Sequence, residues 1–296
     1  MSTVEIEGRR LALTNLEKVL WPAAGRTKGW LIEYYARVAP ILLPHLRQRP
    51  LTLRRFPDGI DGPSWHQNEC RGEPEWFHVF ETAGRGDRRL RFCVVDDLPS
   101  LLWLANQAVI ELHHFQWLLD APRQPTVLVF DLDPGPPADV ADCARVALRL
   151  RELLDDLGLT SYPKTSGSLG LHLHIPLGEP CQGEHVKTFA RIVAETLAQR
   201  HPNEIVCAME RTSRTGKVFV DWLQNDPTRQ TVAPYSLRGA PFPTVATPVS
   251  WEEVERSAAS RRPEALTFLG EDVFERLERV GDLFADVLEL EQSLPP

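Results

Sequence analysis

Residues 127–133 read Val-Leu-Val-Phe-Asp-Leu-Asp, an apolar run that closes on two aspartates two positions apart and is followed at once by Pro134 and Gly135. Four successive apolar side chains, two of them β-branched, predict a buried strand over 126–131. The two-residue period of a strand then turns Asp131 and Asp133 the same way. Carboxylates held that close repel one another unless a cation lies between them, and hard oxygen donors suit Mg2+ or Mn2+ better than zinc. For this pair alone, a polar turn after a strand is an equal alternative. Asp221 adds weight, because it interrupts a second apolar strand over 217–222 where a charge needs a partner; its plainer role is to cap a turn. Three carboxylates on neighbouring strands would bind two ions, which suits activation of a 3′-hydroxyl and stabilisation of departing pyrophosphate.

The remaining pattern is mixed α/β, with no internal repeat. Apolar spacing predicts helices over 29–48, 99–112, 137–157 and 185–200, then a proline-rich connector over 234–248 and closing helices over 251–256 and 273–292. Strict alternation over 171–177 predicts a strand with His172 and His174 on one face, preceded by the small loop Lys164-Thr-Ser166-Gly-Ser168-Leu-Gly170. The loop amides with the Ser166 and Ser168 hydroxyls could hold a triphosphate, although such a loop is more often an ordinary turn and paired histidines more often a satisfied polar face.

With 296 residues, 43% hydrophobic, the chain can bury one large core or two smaller ones as a single module of one or two lobes. The net charge of -8 conceals an asymmetry, since 15 bases face 11 acids through Arg91 and 18 face 30 thereafter. A local phosphate-binding surface is therefore compatible with an acidic total. No apolar stretch is long enough to cross a membrane, and the polar start is unlike a signal sequence, so the cytoplasm is expected. Five separated cysteines without a Cys-x-x-Cys pair predict reduced thiols, with neither a disulfide framework nor a zinc site.

In order, Asp131-Leu-Asp133-Pro-Gly, Thr-Ser166-Gly-Ser168-x-Gly-Leu-His172, Lys-Val-Phe-Val-Asp221-Trp and Ala233-Pro-Tyr-Ser-Leu-Arg238 resemble the primase-polymerase domain of bacterial ATP-dependent DNA ligase D. The front of the chain extends the resemblance through Leu13-Thr-Asn15-Leu-Glu-Lys18-Val-Leu-Trp-Pro, Lys28 and Arg54-Arg55-Phe-Pro-Asp-Gly. That family belongs to the archaeo-eukaryotic primases, which implies an RRM-like antiparallel sheet packed against a second α/β unit. It also implies a nucleotidyltransferase that fills gaps and extends ends in non-homologous end joining, uses manganese well, favours ribonucleotides over deoxynucleotides, works at the nucleoid, and partners Ku and a ligase.

The resemblance makes Asp131, Asp133 and Asp221 the catalytic metal ligands. It places His113, Ser166, Ser168, His172, Arg214, Gln224 and Arg238 against the incoming NTP or dNTP. Asn15, Lys18 and Lys28 fall where the family holds the 5′-phosphate of DNA, with Arg55, Trp65 and His66 on the template side. Taken by themselves the two lysines would be solvated surface charges, Trp65 would be packing, and His113 would cap the end of a helix over 98–112. Leu169 replaces a lysine that reaches the triphosphate in many relatives, and Lys164 is the nearest substitute. Trp65-His66 replaces a phenylalanine pair, and the connection over 118–126 is short. No Lys-x-Asp-Gly nucleotidylation motif follows, so an excised domain and a stand-alone primase-polymerase of excision repair are both expected forms.

Two rival readings remain open at this level. A haloacid-dehalogenase-like phosphatase also carries Asp-x-Asp after a strand, but Pro134-Gly135 directly afterwards is unlike it, and it leaves Arg238 unexplained. A DNA-end binding module without catalysis would have no need of three intact aspartates.

Overall fold

A computed structural model of the chain describes residues 2–84, 89–178 and 181–295. Its first half contains strands β1 (Ser2–Ile6), β2 (Arg9–Leu13), β3 (Val19–Trp21) and β4 (Arg26–Thr27), helix α1 (Lys28–Leu46), strands β5 (Pro50–Arg55), β6 (Trp65–Gln67), β7 (Val79–Ala83) and β8 (Arg89–Val94), helix α2 (Leu98–Asn106) and strand β9 (Val109–Phe115). The second half contains β10 (Val127–Pro134), α3 (Val140–Asp156), β11 (Tyr162–Thr165), β12 (Leu171–Pro176), α4 (Gly183–Arg200), β13 (Ile205–Val206), β14 (Val218–Asp221), β15 (Gln230–Val232), α5 (Trp251–Ser260), α6 (Gly270–Val280) and α7 (Ala285–Glu289).

Two sheets organise this mixed α/β chain. The first runs β11-β12-β10-β14-β13 and is antiparallel except where β13 meets β14. On β10, Leu128, Phe130 and Leu132 pack with α3 residues such as Val146 and Leu150 and with Val193 of α4. The two-residue period sends Asp131 and Asp133 to the other face, where His172 and His174 of β12 also lie. Each such buried aliphatic or aromatic side chain contributes roughly 1.5–3 kcal/mol, so the register that exposes the aspartates is strongly fixed. The second sheet runs β15-β9-β5-β8-β7, with β6 also paired to β5. Its core, including Leu51, Leu53 and Leu112, packs against Leu31, Tyr35 and Leu42 of α1 and Leu101 of α2.

Several expected boundaries move. The helix expected over 99–112 stops at Asn106; Ala108 turns the chain at φ 56, and Val109–Phe115 becomes β9 between β5 and β15. Strand pairing of β-branched Val109 and Ile110 overrides a helical pattern that was apolar on every side. The helix expected over 273–292 breaks at Gly281, whose φ of 68 ends α6. The expectation of five reduced cysteines is also corrected. Strand β8 carries Cys93 beside Cys70, whose amide donates to Arg91 O, and the two sulfurs are bonded with a Cα separation of 4.9 Å. Cys143 and Cys207 are free thiols. Among the described residues no helix is long and apolar enough to cross a membrane.

Candidate active site

Pairing brings the three aspartates together. Asp131 stands opposite Asp221 in the β10–β14 register and opposite His172 in the β10–β12 register, and Asp133 lies one pleat further along β10. One oxygen of Asp221 does cap a turn, accepting from Leu223 N at 2.9 Å. Its other oxygen and Asp131 Oδ2 are spanned by the Gln224 amide, which donates at 3.5 and 3.2 Å. Asp131 Oδ1 is buried and lies 3.2 Å from His172 Nε2 without the alignment of a hydrogen bond.

The charges are mutually unfavourable. Burial pushes the Asp131 carboxyl up to about 6. Asp133, although its outer edge is open to solvent, is pushed up to about 7 by partial burial and by repulsion from Asp131 and Asp221. Asp221 is raised as well, by burial and then by Asp131. Among the described residues no three His, Cys, Asp or Glu side chains already converge to enclose a metal ion. The donor set nonetheless fits a hard divalent cation: it is all carboxylate, self-repelling, and includes a buried oxygen with no hydrogen bond.

Asp131 and Asp133 border a cavity of about 720 Å³ between the two sheets. Every residue expected to meet the nucleotide lines it: His113, Ser166, Ser168, His172, Arg214, Gln224 and Arg238. Asp221 is not among the lining residues and stands opposite Asp131 on the neighbouring strand. Burial, and then nearby Lys164, hold His172 well below the ordinary imidazole range, so it faces the carboxylates neutral.

Two expectations about this wall are corrected. The amides of Ser168 and Gly170, offered to a triphosphate, instead donate to Ser166 Oγ at 3.2 and 3.0 Å, so the loop braces itself. Lys164 does not stand in for the lysine missing at Leu169. It is fully buried on β11 opposite His172, with Nζ 3.2 Å from His172 Nδ1, and burial pushes it down to about 7. Leu169 itself is 68% exposed at the cavity mouth.

His113 sits on strand β9 and not at a helix end, which overturns the capping argument for it. The strand reveals a residue the sequence reading missed. Glu111, two positions earlier on the same face, is nearly fully buried and accepts from His113 Nε2 at 2.9 Å, Arg54 Nη1 at 3.0 Å and Gly239 N at 3.0 Å, with Arg238 Nη2 3.6 Å away. Burial would raise its carboxyl, but His113 and Arg238 outweigh that and hold it down at about 2. His113 is lowered chiefly by burial, so a neutral ring donates Nε2–H to an ionised Glu111. Period two would have exposed this pair had 109–115 been read as a strand.

The DNA-side residues divide into two places. Asn15, with φ 51, and Lys18 line a separate cleft of about 600 Å³, and the Lys28 amide donates to Lys18 O. Lys18 Nζ is 2.7 Å from exposed Asp58. Lys28 is not a solvated charge: its buried ammonium donates to Thr14 Oγ1 and Asn106 O, and its pKa is lowered, mainly by burial. On β6, Trp65 is 45% exposed and pairs with Arg55, whose guanidinium lies 5.6 Å from the Trp65 ring centre. His66 approaches His113 with ring centres 6.3 Å apart, linking this edge to the cavity.

A family model described as "LigD, primase-polymerase domain" matches residues 27–284. The multifunctional non-homologous end joining DNA repair protein LigD of Mycobacterium tuberculosis is 40% identical over 284 residues, covering 93% of this chain and 36% of that protein. The bifunctional non-homologous end joining protein LigD of Bacillus subtilis is 33% identical over 289 residues, covering 97% of this chain and 45% of that protein. The chain thus spans less than half the length of these relatives. A solved polymerase domain of Mycobacterium tuberculosis ligase D, in complex with DNA, aligns with a TM-score of 0.88 and 39% identity over 96% of this chain and 99% of that one.

Proposed function

The chain belongs to the LigD primase-polymerase domain family, and from that premise we propose that it is a template-directed nucleotidyltransferase that fills gaps and extends DNA ends in non-homologous end joining. The observation that carries this reading is the meeting of three carboxylates on β10 and β14 with the serines, histidines and arginines that line one cavity. A phosphatase reading does not account for Pro134-Gly135 directly after Asp133, nor for Ser166, His172 and Arg238 lining the same cavity.

In this reading Asp131, Asp133 and Asp221 hold two Mn2+ or Mg2+ ions, which when bound lower the cost of ionising a primer 3′-hydroxyl and of releasing pyrophosphate. The protein's own part is placement. Arg214 and Arg238 offer forked donors suited to phosphate oxygens, and His113 and Ser166 border the same volume. Gln224, whose amide donates to Asp131 and Asp221, lines the same cavity and would be free to meet the nucleotide were the carboxylates to hold cations. Trp65 and His66 present flat faces to template bases, and the Asn15–Lys18–Lys28 corner receives a downstream 5′-phosphate. The reading extends to ribonucleotide preference and to joint action with Ku and a ligase, with the chain acting as one module at the nucleoid.

Extension of a labelled primer opposite a short gap bearing a 5′-phosphate, with Mn2+ and either NTPs or dNTPs, tests it. Wild type should extend and Asp131→Ala should not, and the ratio of the two nucleotide classes gives the sugar preference. Equal inactivity of both proteins on every gap and overhang, with DNA still bound, would replace the polymerase by an end-binding module.

A further inference from the structure

Glu111 lies outside the set of residues that face DNA or nucleotide in the reading above, yet it is the most heavily bonded carboxylate beside the cavity. Its two oxygens divide their partners. Oε1 accepts from Arg54 Nη1 and from Gly239 N, each at 3.0 Å, while Oε2 accepts from His113 Nε2 at 2.9 Å and faces Arg238 Nη2 at 3.6 Å. His113 and Arg238 line the nucleotide cavity. Arg54 joins the clamp to the template side, being the cross-strand partner of both His66 on β6 and Glu111 on β9. A single row of cross-strand neighbours, His66, Arg54 and Glu111, therefore runs from the edge that carries Trp65 to the wall that carries His113.

We propose that Glu111 is a positioning residue which holds His113 and Arg238 in place for the phosphates of the incoming nucleotide and ties that placement, through Arg54, to the template strand. The proposal rests on the polymerase reading. An ionised carboxylate has only acceptors, so it fixes the His113 proton on Nε2 and leaves Nδ1 for other partners. It also restrains a guanidinium whose Nε is buried without a partner, so that Arg238 keeps one orientation instead of several. Gly239 completes the clamp. A side chain there would meet the Phe56 ring at 2.1 Å, so the backbone can approach Glu111 only because residue 239 is glycine.

Glu111→Gln keeps the shape but replaces one acceptor oxygen by an amide, which must face a donor on one side of the clamp. An unmet charged hydrogen bond of this kind corresponds to about tenfold or more in affinity. We expect the nucleotide KM in gap filling to rise by that factor, with kcat and gapped-DNA affinity changed much less. Arg54→Ala, at a partly exposed position, should raise nucleotide KM on templated gaps and leave binding of free nucleoside triphosphate to the DNA-free protein nearly unchanged. Melting curves of each variant separate misfolding from misplacement. If wild type fails to extend any primer, the polymerase reading falls. If wild type extends and both folded variants keep the wild-type nucleotide KM, Glu111 is structural only and the inference falls while the polymerase stands.

Discussion

The cavity between the sheets and the cleft near the front of the chain, each proposed above to receive phosphate, hold charge in opposite ways. In the cavity the anions are destabilised: burial raises the carboxyls of Asp131, Asp133 and Asp221, Asp131 adds repulsion at the other two, and the neutral Gln224 amide spans Asp131 and Asp221. At the front of the chain the cations are already satisfied, Lys18 of the cleft by Asp58 and buried Lys28 by Thr14 and a backbone carbonyl. A cation entering the cavity relieves repulsion, whereas a phosphate entering the cleft must displace a partner. The first event should be worth far more than the second.

The severest way to break this contrast is to remove a carboxylate. Asp221→Ala should abolish primer extension under every metal condition while leaving binding of 5′-phosphorylated gapped DNA close to wild type, as read by fluorescence anisotropy. If DNA binding fell in parallel, the cavity and the cleft would not be separate regions.

A smaller effect is thermodynamic and has a definite sign. Asp131 titrates near 3.8 when unfolded and about 6 when folded, so the folded chain holds its proton longer. Stability from this group is fully present below pH 4 and is lost as pH rises through 6. In chelator, the melting temperature of wild type should therefore fall between pH 4 and pH 7. Asp131→Asn should remove much of that slope, by on the order of 2 kcal/mol. Added Mn2+ should stabilise wild type at pH 8 and not the variant. A flat wild-type profile, with no response to Mn2+, would count against a buried, cation-accepting Asp131.

This half of the contrast was legible in the sequence because strands advertise alternation. Asp131, Asp133, His172 and Asp221 interrupt apolar runs, and period two assigns their face before any pairing is known. Arg214, Gln224 and Arg238 have no such local signal and came from the order of motifs. What stayed hidden depended on contacts distant in sequence. Residues 98–115 are apolar on nearly every side, so the change from α2 to β9 at Ala108 has no glycine or proline to mark it, and Glu111 was lost with it. Cys70 and Cys93 meet only because β8 folds back beside residue 70. Lys164 was legible as a lysine beside a loop, but the turn of β11 that buries it opposite His172 is set by the sheet.

Partner exchange in the cleft predicts effects of a few fold. Asp58→Ala releases Lys18 from an exposed ion pair, which is worth at most about 1 kcal/mol. Affinity for a gap with a 5′-phosphate should rise up to about fivefold, and affinity for the same gap with a 5′-hydroxyl should stay unchanged. Lys18→Ala should erase the difference between the two substrates. A Lys18→Ala protein that still prefers the 5′-phosphate would move recognition elsewhere.

The least of these effects concerns how Lys28 is presented. It is the first residue of α1, and Thr27 caps that helix by accepting from Trp30 N at 3.3 Å, while the β3–β4 hairpin ties the Lys28 amide to Lys18 O. Thr27→Ala removes one cap and should cost about 1 kcal/mol of stability, seen as a modest drop in melting temperature. The buried Lys28 ammonium keeps its bonds to Thr14 and Asn106, so discrimination between 5′-phosphate and 5′-hydroxyl gaps should persist in the variant. Loss of that discrimination with the melting temperature intact would mean that the helix start, and not the buried lysine's partners, sets the geometry of the cleft. The contrast between a strained cavity and a satisfied cleft would then rest on Lys18 alone.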